Sequence, residues 1–124
     1  MRLNRQSFEA AVERAIARIP AEFRMHLVNL EIVVEERPSR RLLQELEVPP
    51  DETLFGVFTG IPLPERSVTE PPLYPDTILI FRQPLEEACR SLAELEAEIA
   101  ITVLHEVAHY LGISEARLAE LGYG

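Results

Sequence analysis

Cysteine occurs once in the 124 residues, at Cys89, so no internal disulfide can form. A lone Cys inside a helical pattern reads as a small core residue rather than a nucleophile or ligand. No apolar run approaches the ~20 residues that a membrane-spanning helix needs. Behind Met1 there is no uninterrupted apolar stretch either. The segment up to Pro20 mixes arginines with acids, so neither a secretory signal nor a transit peptide is expected there. The expected location is cytoplasmic. Basic residues are outnumbered, with 12 Lys and Arg against 21 Asp and Glu and a formal net charge of −9. Such a chain repels phosphate backbones, so nucleic acid is not an expected partner, and neither is a membrane. There is no internal repeat, low-complexity tract or linker, and the length suits one domain over residues 1–124.

What is present is a set of short periodic segments. Phe8, Val12, Ala15, Ile16 and Ile19 recur at helical spacing, predicting an amphipathic helix over residues 4–19, capped by Asn4 or Ser7 and ended by Pro20. Leu30, Ile32 and Val34 alternate with polar residues, which predicts a strand over 28–36 with one wet face. A short helical turn is expected over 40–47. Residues 53–59 are rich in β-branched and aromatic side chains and predict a second strand ending at Gly60. A proline-rich connection from Ile61 to Asp76 leads to Thr77–Phe81, which is apolar on both faces and so expected to be a central strand. Residues 83–111 read as helical, with Pro84 near the start and a possible break at Ser91. The acids Glu86, Glu87, Glu94, Glu96 and Glu98 read as a solvated face. Two apolar stripes follow, Leu92, Leu95, Ile99 and Val103, then Ala97, Ile101, Leu104, Ala108 and Leu111. A helix with both is buried on more than one side.

At the end of that helix stands His105-Glu106-Val107-Ala108-His109, an H-E-x-x-H pattern. A chain of ordinary composition shows this pattern by chance roughly once in several hundred. Two residues four apart share one helical face, so both imidazoles can converge on one Zn²⁺. Glu106 lies beside that face, where a general base for a water on the metal belongs. Gly112 can end the helix in a left-handed conformation and turn the chain back, which lets Glu115 reach the metal as a third ligand. Ser114 is also a good N-cap for a closing helix, in which Glu115 would be favoured by the helix dipole alone, and the two roles are compatible. His26 reads as a surface or packing histidine. Tyr74, Tyr110 and Tyr123 are candidates to support an oxyanion, although packing or partial exposure is the simpler reading of all three. Glu98 could support His105 but reads more simply as part of the solvated face.

The layout H-E-x-x-H-x-x-G-x-x-E resembles the metzincin pattern with its last His replaced. Together with residues 54–63 and the segment from Ile78 to Pro84, it makes the chain similar to the zincin-like metallopeptidases, a family of small bacterial proteins called minimal zincins. Many members carry Asp where this chain has Glu115, and Tyr where it has Phe58. The resemblance implies an α+β fold with a small mixed sheet of about three strands. That sheet packs on the N-terminal helix and the central H-E-x-x-H helix, with 77–81 as inner strand and 53–60 as edge strand. It implies one zinc per chain and a peptide or protein substrate paired along the edge strand. The expected function is zinc-dependent hydrolysis of peptide bonds, with His105, His109 and Glu115 as ligands and Glu106 as base. The alternatives are a zinc-stabilised binding or regulatory domain without turnover, and a zinc hydrolase acting on a small amide or ester.

Overall fold

The computed structural model describes residues 1–60 and 76–123. The chain opens with helix α1 (Arg5–Ala17), whose N-cap is Asn4, its side chain accepting from the Ser7 N–H. Of the two cap candidates, Asn4 is the one used. Phe8, Ala11, Val12 and Ala15 form its buried stripe. Pro20 then starts the short helix α2 (Ala21–Arg24), and a 3-10 helix over Met25–Asn29 follows directly.

That 3-10 helix shortens the strand expected from residue 28. Strand β1 (Glu31–Glu35) begins only after the Leu30 N–H has closed the last turn on the Leu27 carbonyl. Val28 belongs to the turn and is 85% exposed. The alternation itself holds, since Ile32 and Val34 pack against the core. Helix α3 (Arg40–Glu45) is capped by Ser39.

Strand β2 spans Gly56–Thr59 and strand β3 Thr77–Phe81. They form a three-stranded sheet of order β1-β3-β2, with β1 parallel and β2 antiparallel to β3. The expected central place of β3 and edge place of β2 are therefore observed. Residues 53–55 lie outside β2 because the partner runs out. Phe55 still accepts from the Phe81 N–H, but from Arg82 onward the chain is helical. The proline-rich connection and Tyr74 lie outside the described residues.

Helix α4 (Arg82–Ala88) and helix α5 (Leu92–Tyr110) replace the single stretch, with the break at Ser91. Ser91 caps α5 by accepting from the Glu94 N–H, and the Glu94 carboxylate accepts from the Arg90 N–H. Leu95, Ile99 and Val103 are fully buried against α1 and the sheet. Complete burial of each such side chain contributes about 1.5–3 kcal/mol. Leu92 and Ile101 fall outside the expected stripes, at 42% and 50% exposed, because they lie where neither α1 nor the sheet covers α5. The acidic run also needs correcting. Glu86 is buried, where it pairs with Arg82 at 3.0 Å and accepts from the Leu3 N–H at 3.2 Å. Cys89 is buried in the core, and burial pushes its thiol up. No helix among the described residues is long and apolar enough to cross a membrane.

Candidate functional site

The last turns of α5 differ from the rest of the helix. Val103, Leu104, Val107 and Ala108 face the core, while His105 and His109 come out on the far side. Immediately after His109 the helix closes with paired reverse hydrogen bonds. The Gly112 N–H meets the His109 carbonyl at 3.0 Å, and the Ile113 N–H meets the Ala108 carbonyl at 2.8 Å. Gly112 sits at φ 75°, the left-handed value this closure needs and a side chain resists. Ile113 packs against the core and fixes the exit direction. Helix α6 (Glu115–Glu120) then starts at the N-cap Ser114, whose hydroxyl accepts from the Arg117 N–H.

This turn carries the Glu115 carboxylate back to the histidines. Glu115 Oε2 lies 3.0 Å from His105 Nδ1, and Oε1 lies 3.2 Å from His109 Nε2. The other nitrogen of His109, Nδ1, lies 3.1 Å from Glu106 Oε1. All four residues singled out by the motif are thus brought together. Each also keeps its local role, for Glu115 occupies the first turn of α6 as well.

With a carboxylate at each ring nitrogen, His109 favours its doubly protonated form. Its pKa is pushed up to about 9, first by the hydrogen bond with Glu106. Burial works against this, and the charge of Glu106 and the contact with Glu115 add to it. Burial by itself raises the Glu115 carboxyl, but hydrogen bonds and charge from His105 and His109 outweigh it, so Glu115 titrates below its ordinary value.

Glu106 is buried at the foot of this cluster and makes a contact that the motif does not announce. Its Oε1 accepts from the main-chain N–H of Phe58 at 2.8 Å. Phe58 lies in β2, and its ring meets Tyr110 edge-on with centroids 5.6 Å apart. The absent hydroxyl at position 58 therefore leaves a ring that packs. Tyr110 is 3% exposed and belongs to the core. Tyr123 donates to Glu22 and stacks edge-on against Phe23, in the packing role that was the simpler expectation. His26 is half-buried in the 3-10 helix. Glu98 gives its carbonyl to the Thr102 hydroxyl.

Among the described residues, no group of three or more His, Cys, Asp or Glu is arranged as a preformed metal site. The donors touch one another instead. Glu115 lies 3.0–3.3 Å from His105 Nδ1 and 3.2 Å from His109 Nε2, and two donors bonded to one ion at about 2.0–2.1 Å and tetrahedral angles lie roughly 3.3 Å apart. Two imidazoles and a carboxylate also suit zinc chemically.

The family described as zincin-like metallopeptidase matches residues 27–124, the span that holds the sheet, α5 and the Glu115 turn. Among solved structures, a conserved hypothetical protein from Thermo thermophilus is similar, with a TM-score of 0.53 and 20% identity. The match covers 96% of this chain and 98% of that one, and it concerns the fold. None of the curated proteins matches. The family match spans most of the chain, and the sheet and helices agree with it; the chain belongs to the zincin-like metallopeptidase family.

Proposed function

We propose that the chain is a zinc-dependent peptidase in which His105, His109 and Glu115 hold the metal and Glu106 is the general base. The observation that carries this reading is that Glu115 approaches both His105 and His109 at 3.0–3.3 Å, beside the buried carboxylate of Glu106. When bound, zinc would supply positive charge that makes water more acidic and polarises a carbonyl. The chain's own residues do the rest. His109 exchanges a proton for the metal, which makes binding pH-dependent. Glu106 takes a proton from the attacking water and returns it to the leaving nitrogen. An extended peptide lying along β2 would pair with outward main-chain groups other than the Phe58 N–H, which Glu106 holds, and would bring its scissile carbonyl beside α5, since β2 is the edge strand next to that helix. Net negative charge disfavours acidic peptides.

One observation favours a second reading, a zinc-stabilised binding domain. Glu106 is already engaged by Phe58 and His109, as a structural carboxylate would be. The two readings separate on Glu106→Gln. Zinc-loaded wild type is incubated with a peptide library and the products are read by mass spectrometry. The hydrolase reading expects cleavage that chelation stops and that Glu106→Gln abolishes while keeping its zinc. If no peptide is cut and zinc removal only unfolds the chain, the binding reading stands.

A further inference from the structure

Gly56 is buried, and a Cβ placed there would lie 2.7 Å from Thr102 Cγ2 and 2.8 Å from the Leu79 carbonyl oxygen. Only glycine lets β2 come this close to α5. The approach is repeated one step along. Thr102 and Glu106 are four apart on the helix, a rise of about 6 Å. Gly56 and Phe58 are two apart on the strand, a rise of about 6.8 Å. Strand and helix therefore stay in step, and the Gly56–Thr102 contact brings Phe58 level with Glu106.

The register decides which way the Phe58 N–H points. Phe55 accepts from Phe81, so Phe55–Phe81 and Val57–Leu79 are the hydrogen-bonded pairs. Phe58, opposite Ile78, then turns its main-chain groups away from β3. Its N–H is an edge donor, and it is spent on Glu106 rather than on the sheet.

Both contacts of the Glu106 carboxylate, with Phe58 and with His109, fall on Oε1. No buried side-chain oxygen among the described residues lacks a partner, so the unengaged Oε2 reaches solvent. We infer that β2 is a positioning element for the base. The Phe58 N–H and His109 anchor Oε1, Gly56 against Thr102 sets the separation, and Oε2 is left to take and return the proton. This inference rests on the hydrolase reading above.

The test compares Phe58→Pro with Phe58→Ala, both zinc-loaded, on a peptide that wild type cleaves. Proline removes an N–H that faces away from β3, so no bond of the sheet is lost. Alanine removes the ring and keeps the N–H. The expected result is a kcat at least about tenfold lower in Phe58→Pro than in Phe58→Ala, with KM and zinc content alike. Equal kcat values in two active variants overturn the inference and leave the hydrolase reading intact. Zinc-loaded wild type that cleaves nothing overturns both. Amide exchange in wild type checks the anchor without relying on the proline variant. The Phe58 amide should exchange slowly in wild type and fast in Glu106→Ala, and equally fast exchange in the two overturns the inference.

Discussion

The two edges of the sheet meet the same physical problem in different ways. An edge strand leaves main-chain donors and acceptors without partners. On β1, Glu31 donates toward the β3 side, so Val34 faces outward, and its carbonyl accepts from Arg5 at 2.8 Å. On β2, the outward N–H of Phe58 is met by Glu106 at 2.8 Å. On each edge one outward group is met by a charged side chain from a neighbouring helix. Arg5 is half-exposed and also pairs with Glu9 and Glu36. Glu106 is buried and shares its bonded oxygen with His109. A charged side chain at an edge group is thus not by itself the mark of a site. What distinguishes β2 is that the closing charge also belongs to the histidine cluster.

Exchanging each closing residue is the sharpest way to break that comparison. Glu106→Gln should lower peptide hydrolysis by about 10²–10⁴-fold with zinc retained, as measured by turnover of a cleaved peptide and by metal content. Retained turnover would make the two edges equivalent and Glu106 structural. Gly56→Ala comes next, because it separates β2 from α5 without touching β1. Crowding against Thr102 and the Leu79 carbonyl should cost about 1–3 kcal/mol in urea denaturation.

A pH titration of the zinc-free protein separates the edges further. His109 has its folded pKa raised from 6.5 to about 9. The stability it contributes is fully present below 6.5 and is lost as pH rises through 9. The urea midpoint should therefore fall across that window, and Glu106→Gln should flatten the fall. The smallest effect is expected from Arg5→Ala. It should cost about 0–1 kcal/mol, leave turnover unchanged, and lose that cost in high salt.

Much of this comparison was legible in the sequence, and its limits are instructive. The Ser91 break, the H-E-x-x-H face and the Gly112 turn are all local. Each depends on residues within one or two helical turns, where spacing and φ preferences act directly. The apolar faces of Thr77–Phe81 gave away its central place. The strand starts were less legible. Val28 continues the apolar alternation, yet a 3-10 helix claims it, and residues 53–55 are strand-like in composition but have outrun their partner. Least legible were contacts across the chain. Glu86 reads as one acid among many until Leu3, 83 residues away, is brought beside it. Phe58 and Glu106 are 48 residues apart, and their bond depends on the register between β2 and α5. One local signal did point to it. A glycine within a strand marks close backbone approach, and Gly56 is that glycine.

Whether His105, His109 and Glu115 hold one metal ion is tested most directly by the metal content of the purified protein. Elemental analysis is made on wild type, His109→Ala and Glu115→Ala after supply of zinc and removal of excess. About one zinc per wild-type chain is expected, with none in His109→Ala and a reduced amount in Glu115→Ala. A folded wild type that takes up no zinc would contradict a metal site at these residues.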